Sequence, residues 1–452
     1  MDILEKAQRM LTDHPLCNHC LGRQFALLGH GVENKNRGRA IKLLLTMKGH
    51  QFVLSKNKAG VTLLKTVAVN GSFDTAYNIL KSFNKRTPAK KRCFLCEGRF
   101  ENINMIADKA IRKLKDYEFA TFLVGVELPL EVAEREDEFK ASFNVTHGES
   151  MKSQFSRDIG KRICEITSKE VDYGKPDVVV LVNPFTNRIR LQINPLYVSG
   201  RYRKLVRGIP QSRWLCRECS GKGCEHCNWT GKKYQESVEE FIGIPMLEMT
   251  EGGEISFHGA GREDVDARML GSGRPFVLEV KEPKKRFINL LKLEQTINKY
   301  AKGKVEVHNL CFADKDVVRR FKKAEAAEKI YSAIIEFDRD VSDDELERVE
   351  KMLSNVFIRQ QTPQRVLHRR ADLTREKYIY EAKIKRMSRN RAEMQIHCQG
   401  GLYIKELVTG DEGRTKPSVA SILDAKVTPV QLDVLGVVGG EEKNEKVERL
   451  PS

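Results

Sequence analysis

Residues 259–276 read GAGREDVDARMLGSGRPF, a stretch in which six charged side chains stand among four glycines. Glycine lets the backbone bend tightly and approach other groups closely, which a solvated surface segment does not require. If the segment is buried, its carboxylates and guanidinium groups must pair with one another or with a ligand, because an unpaired buried charge is costly. The alternative is a charged surface loop with good turn chemistry. This stretch alone does not decide between the two, so the rest of the chain must.

The charge balance points to a phosphate-rich partner. The chain has 452 residues, with 79 Lys and Arg against 62 Asp and Glu, for a formal net charge of +17. Such a surface attracts phosphates, and nucleic acid is the commonest partner that carries them. The longest apolar run, near residues 178–182, is too short to span a bilayer, and the N-terminus has no signal-peptide core. We therefore expect roughly two to four domains in a soluble, cytoplasmic protein that binds nucleic acid.

Eleven cysteines include four C-x-x-C pairs, a pattern that in a cytoplasmic protein favours metal over disulfides. Two of the pairs lie within twelve residues, in CRECSGKGCEHC. The glycines between them let the chain fold back so that four sulfurs face one point, and four cysteines leave no coordination position open. This spacing predicts a structural zinc site with the ligands Cys216, Cys219, Cys224 and Cys227.

The other two pairs are separated by about seventy residues but supply another four thiolates. We predict that they form a closed zinc site with the ligands Cys17, Cys20, Cys93 and Cys96. Two alternatives stay open. The pairs would be independent redox centres if the chain contained a thioredoxin-like unit, which the sequence does not show. His19 or Cys164 would otherwise replace one of the thiolates.

The hydrophobic pattern predicts an α+β protein. A helix over 149–167 precedes two β-branched runs separated by a Pro/Asn turn, which favours an antiparallel hairpin within 176–198. Farther on, short apolar strands alternate with helices without a regular βαβ period, and acids in its first turn support a helix over 343–355. The predicted strands cover 276–281, 305–312, 331–337, 378–387 and 392–400. The pattern indicates a mostly antiparallel sheet with helices on one face.

Residues 199–214, SGRYRKLVRGIPQSRW, mix basic and aromatic side chains. This mixture suits RNA, because cations meet phosphates while rings stack on exposed bases. The alternative is a charged linker that leaves a domain. The side chains concerned are Arg201, Arg203, Lys204, Arg207 and Arg213, with Tyr197, Tyr202 and Trp214.

A second charged constellation lies at 399–418, QGGLYIKELVTGDEGRTKPS. Tyr403 and Lys405 alternate with apolar residues, which predicts a strand that carries the ring and the cation on one face. The GRED motif at 261–264 resembles the catalytic R-x-D motif of pseudouridine synthases, and GLYIKEL resembles their later aromatic–Ile–Lys/Arg–x–Leu strand. Tyr331, in EKIYSAII, stands where these enzymes carry an active-site tyrosine.

Longer matches narrow the family. GREDVDARMLGSGRPF, GGLYIKELVTGDEGRTKPSVASIL, SGRYRKLVRGIPQ and the N-terminal C-x-x-C pairs resemble archaeal-type tRNA pseudouridine synthases that act on uridines 54 and 55 of the TΨC arm. The resemblance covers nearly the whole chain. It implies a zinc-containing, THUMP-like RNA-binding module at 1–205 and a compact four-cysteine insertion and linker at 206–236. A catalytic domain with a mixed, mostly antiparallel sheet would follow at 237–440, with a mobile tail at 441–452.

The resemblance also implies the roles of individual residues. Asp264 would attack the ribose or assist glycal formation, and Lys405 would pair with it and keep it ionised. Arg262 would take the place of the extruded base and contact phosphate. Tyr331 would stack on the flipped uracil, and Leu407 would line the pocket. Otherwise Tyr331 is a core aromatic that opens a strand, and Lys405 is an edge-strand lysine that discourages aggregation.

The motif alignment favours Asp264 over its acidic neighbours, and Asp266 is expected to pair with Arg268 or Arg274. No organic cofactor is required. Two other functions stay open: another THUMP-type tRNA-modifying enzyme, although no complete nucleotide-binding motif is found, and a non-catalytic zinc-containing tRNA-binding protein, which leaves GREDVDAR and GLYIKEL unexplained. The expected partner is tRNA, with no membrane and no obligate protein partner, and nothing in the sequence argues against a monomer.

Overall fold

The computed structural model describes residues 2–323 and 328–438 and divides into two compact units, Met1–Asn194 and Pro195–Ser452. None of the helices in the described ranges combines the length and the apolar character that a bilayer crossing needs. The predicted mobile tail at 441–452 lies outside the described residues.

The first unit combines helices with a small sheet. Its helices are α1 (Ile3–Asp13), α2 (Asn18–Gly22), α3 (Asn34–Leu54), α4 (Lys58–Val69), α5 (Asp74–Ser82), α6 (Ile103–Leu114), α7 (Leu130–Ser142) and α8 (Met151–Thr167). Its strands are β1 (Thr121–Val126), β2 (Glu170–Val171), β3 (Val178–Asn183) and β4 (Arg188–Ile193). β1 lies between β2 and β3 and is parallel to both, and β4 pairs antiparallel with β3. The predicted hairpin and the helix predicted at 149–167 are confirmed.

One hydrophobic core holds the first unit together. The run VVVLV of β3 is buried at alternate positions, so Val178, Val180 and Val182 point inward, as the two-residue period of a strand requires. They share a core with Phe155 and Ile159 of α8, which are equally buried. α8 begins after a serine whose side chain accepts a backbone N–H of the first turn, which favours the start of the helix there.

The second unit contains a large sheet. Its strands are β5 (Leu196–Lys204), β6 (Glu254–Gly259), β7 (Arg268–Lys281), β8 (Val305–Ala313), β9 (Glu328–Phe337), β10 (Val356–Gln361), β11 (Thr374–Ser388), β12 (Arg391–Cys398), β13 (Thr415–Lys416) and β14 (Val427–Val438). Its helices are α9 (Val238–Thr250), α10 (Leu290–Tyr300), α11 (Lys315–Lys323), α12 (Asp343–Leu353), α13 (Ile404–Thr409) and α14 (Val419–Leu423). The strand order is β13-β10-β11-β12-β9-β14-β7-β5-β8, and β6 also pairs with β7.

The sheet is mixed but mostly antiparallel, as predicted. The pairs in this order are antiparallel apart from β7 and β14, which run parallel where Arg268 and Met269 face Asp433 and Val434. One core lies around β9–β12 with α12–α14, and another around β5, β7 and β8 with α9 and α10. Tyr331 packs against both cores. The junction of β7 and β14 therefore joins two separately packed halves of one sheet.

The five strands predicted for this region are confirmed as parts of β7, β8, β9, β11 and β12, although β12 ends at Cys398 rather than at residue 400. The helix predicted at 343–355 is confirmed as α12, which ends at Leu353. The structure differs at the boundary between the units. β5 pairs with β7 and β8, so the second unit begins at Pro195 rather than after residue 205. The reason is that alternate residues of β5 are buried in the core of the second unit.

The strand predicted for GLYIKEL is wrong, because residues 404–409 form α13. Ile404, Leu407 and Val408 are buried, which is the i, i+3, i+4 spacing of a helix. The alternation of Tyr403 and Lys405 covers too few residues to outweigh that period.

Candidate active site

The GRED motif lies in a loop at residues 260–267, between the end of β6 and the start of β7. Gly261 has a φ of +83°, and a Cβ built there would lie 3.0 Å from Arg274 Nη1. Gly271 has a φ of +57°, and a Cβ there would meet a carbonyl oxygen of β14 at 1.9 Å. A side chain would be strained or excluded at both positions. The glycines thus allow the close backbone approach that the sequence predicted.

Glu263 is the buried acid of this loop. Its carboxylate accepts the Tyr202 hydroxyl, with O···O distances of 2.8 and 2.9 Å, and Arg274 Nε at 2.8 Å. Lys204 Nζ lies 4.0 Å from the carboxylate and donates to the carbonyl oxygen of Asp264 at 3.0 Å. Burial, with the adjacent carboxylate, raises the pKa of Tyr202, so its hydroxyl remains a donor. The prediction that buried charges in this segment pair with one another is confirmed.

Asp264 faces a cavity instead. Its side chain is 43% exposed, and its Oδ2 lies 3.7 Å from Lys405 Nζ and 3.8 Å from Arg365 Nη2. Two cations therefore attract the same carboxylate oxygen without either making a short hydrogen bond to it. The carboxylate is oriented and still accessible to a ligand, which suits a nucleophile or a base.

Arg365 is a site residue that the sequence analysis missed. It lies in the 3₁₀ turn Gln364–Arg369, and its Nε donates to Glu406 Oε1 at 2.7 Å. Burial acts to lower the pKa of Arg365, but the hydrogen bond and charge of the buried Glu406 raise it above its ordinary value. Arg365 is far in sequence from the GRED motif, and only the fold brings it to Asp264.

Lys405 makes its closest contact with Asp266, at 2.7 Å between Nζ and Oδ2. Burial alone would raise the pKa of Asp266, but the hydrogen bond and charge of Lys405 hold it below its ordinary value. The expectation that Asp266 pairs with Arg268 or Arg274 is wrong, because those arginines are held elsewhere by the register of the sheet and by the buried network. The partners found instead are Asp433 for Arg268 and Glu263 for Arg274.

A cavity of about 1000 Å³ opens beside Asp264, at the upper end of the range for ligand pockets. Its wall is strongly cationic, because seven basic side chains line it against two acidic ones, and one of these acids, Glu263, is paired with buried Arg274. The basic side chains on the wall are Arg262, Lys329, Arg365, Arg370, Arg375, Lys377 and Lys405. This volume and charge suit an extruded nucleotide together with backbone phosphates.

Tyr331 reaches the cavity from β9, as the motif predicted, and burial raises the pKa of its hydroxyl, so the ring stays neutral. Leu407 differs from its prediction. It is fully buried in the core and does not appear on the cavity wall. Residues 405 and 407 share a side in a strand but point about 200° apart in a helix. Leu407 therefore packs into the core on the side of α13 opposite Lys405, which faces the cavity.

Arg262 is exposed, and its guanidinium carbon lies 4.8 Å from the centroid of the Trp214 ring. This distance is within the range of a cation–π interaction. Trp214 also lines the cavity. The two residues form one side of the candidate site.

Much of the basic segment 199–214 has a structural role, which differs from both readings of its sequence. Tyr202 and Lys204 are fully buried in β5, and Arg207 pairs with Asp433 at 2.7 Å. Residues 196, 198, 202 and 204 are buried at even positions. That period of two was the signal for a strand.

The predicted cysteine ligands come together as two tetrads. The first tetrad is Cys17, Cys20, Cys93 and Cys96, and the second tetrad is Cys216, Cys219, Cys224 and Cys227. In each, the sulfur atoms lie within 4.8 Å of one another, so each can hold a metal ion. His19 stacks on Phe100 instead, and Cys164 packs against the core of the first unit.

Two family models match the chain. The model described as "Pus10, C-terminal" matches residues 197–438, and the one described as "Pus10 THUMP domain, archaeal" matches residues 106–183. The chain belongs to the Pus10 family. The THUMP match lies within the first unit, and the C-terminal match covers most of the second.

Curated Pus10 proteins resemble the chain along nearly its whole length. The tRNA pseudouridine synthase Pus10 of Methanocaldococcus jannaschii is 46% identical over 436 residues, which is 95% of this chain and 93% of that protein. The protein of the same name from Methanothrix thermoacetophila is 41% identical over 454 residues, 99% and 97% of the two chains. That of Pyrococcus furiosus is 39% identical over 440 residues, 97% and 99%. Membership in the Pus10 family makes this chain a pseudouridine synthase, which is an isomerase, and the resemblance seen in the motifs is confirmed.

Proposed function

We propose that this enzyme acts on tRNA and converts uridines 54 and 55 of the TΨC arm to pseudouridine, with Asp264 as the nucleophile. The observation that carries the proposal is the position of Asp264, an accessible carboxylate between two cations on the wall of a basic cavity. The names of the Pus10 relatives support tRNA as the substrate. The archaeal THUMP match supports an RNA-binding role for the first unit.

The reaction needs one oriented carboxylate. Formation of pseudouridine breaks the N1–C1′ bond of uridine and joins C5 to C1′, while C5 loses a proton and N1 gains one. No electron is transferred and no group carrier is involved. Asp264 would attack C1′ or assist formation of a glycal, and both routes begin with a carboxylate that reaches the ribose.

Lys405 and Arg365 would fix the direction of that carboxylate. Lys405 is anchored by Asp266, and Arg365 by the buried Glu406. Each cation therefore has its own partner and stands at ion-pair distance from Asp264. This arrangement limits the rotation of Asp264 and leaves its exposed edge free to react.

The target uridine must leave its stack, at a cost of a few kcal/mol. Phosphate contacts to the basic wall would offset this cost. Tyr331 would stack on the flipped uracil, and Arg262 would occupy the vacated place or contact a phosphate. Leu407 would act from the core by supporting the helix that carries Lys405.

We propose zinc as the metal of both tetrads. With Zn–S bonds of about 2.3 Å, the sulfurs of a tetrahedral site lie about 3.8 Å apart. Several Sγ···Sγ distances fit this value: 3.6 Å between Cys17 and Cys96 in the first tetrad, and 3.7 to 3.9 Å for three pairs in the second. Four thiolates leave no open position, so the metal would stabilise the fold and take no part in the reaction.

A tRNA substrate is consistent with a cytoplasmic enzyme, and we propose that it acts as a monomer. The mechanism uses side chains of the second unit alone. The first tetrad belongs to the first unit and the proposed catalytic residues belong to the second, so loss of zinc from the first tetrad and loss of chemistry can be measured separately.

The test is to incubate an unmodified tRNA transcript with the purified protein and to map pseudouridine by carbodiimide treatment and primer extension. Wild-type protein should give stops at 54 and 55, and Asp264→Asn should give none while it still binds the transcript. Asp266→Asn is the matched control, because it removes the same charge two residues away. It should form both products at a reduced rate.

Transcripts with cytidine at 54 or at 55 separate the two positions. If Asp264→Asn remains active while Asp266→Asn does not, the nucleophile has been assigned to the wrong acid. If wild-type protein binds the transcript tightly but gives no stop from either position, it acts on neither uridine, and the assignment of positions 54 and 55 fails.

A further inference from the structure

The loop that carries the second tetrad closes beside the cavity. The backbone N–H of Cys216 donates to the Gly231 carbonyl oxygen at 2.8 Å, and that of Lys233 donates to the Trp214 carbonyl oxygen at 2.9 Å. Trp214 is two residues before the first cysteine of the tetrad. Its backbone carbonyl accepts one of the two hydrogen bonds that join the ends of the loop. A metal held by the tetrad would fix the position of this indole.

The indole is surrounded by polar and aromatic groups. The Arg262 guanidinium carbon lies 4.8 Å from its ring centroid and Lys233 Nζ lies 5.4 Å away, while Tyr234 packs edge-on at 5.5 Å. Trp214 shares the cavity wall with Asp264. The side chain that the metal loop presents to the cavity is thus one that can hold a cation.

Trp214 is the partner that the structure gives Arg262. Within residues 2–323 and 328–438 we find no hydrogen bond or ion pair to the Arg262 guanidinium. The neighbouring Glu263 is committed to its buried partners, and Asp264 to Lys405 and Arg365. An arginine on a loop has many rotamers, and an aromatic face selects among them.

We propose that Trp214 is a positioning residue that holds Arg262 at the cavity wall, close to the place it takes when RNA binds, and that the metal-bound loop keeps Trp214 in place. The proposal rests on the proposed function, because that function assigns Arg262 to the place of the extruded base. From the indole, the guanidinium can move to a phosphate or to the vacated stack without breaking a hydrogen bond.

A double-mutant cycle tests whether Trp214 acts through Arg262. We expect Trp214→Ala and Arg262→Ala each to slow single-turnover pseudouridine formation about tenfold. The double variant should be within about twofold of Arg262→Ala alone, because a positioning residue has no effect once its target is gone. Trp214→Phe, which keeps an aromatic face, should restore most of the rate. Effects that multiply would overturn the proposal.

Trp229 offers a matched control, since it is in the same metal loop but is 73% exposed. Trp229→Ala should keep the wild-type rate. If it slows the reaction as much as Trp214→Ala does, the effect comes from disturbance of the loop, and the proposal fails.

Fluorescence provides a readout that does not depend on activity. The chain has two tryptophans, so Trp229→Phe leaves Trp214 as the reporter. In that background, Arg262→Ala should change the emission of Trp214 and increase its quenching by acrylamide, without tRNA present. Removal of zinc by a chelator should do the same. Unchanged emission in Arg262→Ala would refute the stack, whereas full activity of Asp264→Asn would refute the proposed function and leave the fluorescence result standing.

Discussion

Replacement of Glu263 by glutamine removes the negative charge that pairs with Arg274 and Lys204 beneath the GRED loop. The side chains of Glu263 and Arg274 are 0% and 1% exposed. Glutamine keeps the shape and one acceptor oxygen but leaves Arg274 and Lys204 as buried cations without a counter-charge. Loss of one partner from a buried ion pair costs about 3–5 kcal/mol. In a unit of this size, 1 kcal/mol shifts the melting temperature by roughly 2–4 °C, so we expect a decrease of roughly 6–20 °C.

Tryptophan fluorescence during thermal unfolding measures this change, because both tryptophans lie in the second unit. Glu306→Gln is the control: the same substitution breaks an ion pair with Arg203 in which the two side chains are 37% and 42% exposed. Its cost should not exceed about 1 kcal/mol. Below its melting temperature, Glu263→Gln should also lose activity, since the network holds the Asp264 backbone. A destabilisation no larger than that of Glu306→Gln would refute the role given to the buried network.

Three other predictions concern the charged residues around Asp264, the proposed nucleophile, and the two cysteine tetrads. Arg365→Met should slow single-turnover pseudouridine formation about fivefold, because it removes an ion pair worth about 1 kcal/mol from Asp264, and unchanged kinetics would exclude that role. Burial acts to raise the pKa of Asp266, but the hydrogen bond and charge of Lys405 keep that pKa below its ordinary value of about 4. The ion pair between Asp266 and Lys405 is therefore complete above about pH 4 and is lost only as the pH falls through the lowered pKa. The ratio of the wild-type rate to the Asp266→Asn rate should therefore stay constant from about pH 5 to 8, and a ratio that changes with pH would contradict this. Cys20→Ser and Cys219→Ser should each lower the bound zinc, measured by mass spectrometry, from two equivalents to one, but only Cys20→Ser should reduce hydrogen-exchange protection in the core of the first unit.

The features that the sequence predicted best depend on residues only a few positions apart in the chain. A C-x-x-C pair places two sulfurs on one tight turn, so a tetrad of cysteines forms wherever two such pairs come together. The β-branched run of β3 and the short apolar run of β9 predicted strands for a similar reason, since such runs are read within a few residues. For the GRED loop, the sequence predicted that any buried charges would pair, and Glu263 and Arg274 do so, but it did not decide whether the loop is buried.

Partners fixed by the meeting of distant elements were not predicted. Lys405 and Asp266 are 139 residues apart in the chain, and their contact exists because α13 packs beside the loop after β6. Arg365 reaches Asp264 from a third element, the 3₁₀ turn Gln364–Arg369. Within α13, a single polar–apolar alternation suggested a strand, whereas the burial of Ile404 and Leu407 decides for a helix. Local pattern fixes an element, but tertiary packing fixes which charges meet.

Three consecutive charges have three different environments: Arg262 is exposed beside an indole, Glu263 is buried, and Asp264 is half-exposed in the cavity. Glu263 alone of the three is buried, while the side chains of Arg262 and Asp264 on either side of it reach solvent and line the cavity. The carboxylate of Glu263 can be buried because Tyr202 and Arg274 satisfy it. A reactive carboxylate must be held firmly yet remain accessible, and its own burial would defeat that purpose. Burial of the acid next to it provides the anchor, which explains why a glutamate stands between Arg262 and Asp264.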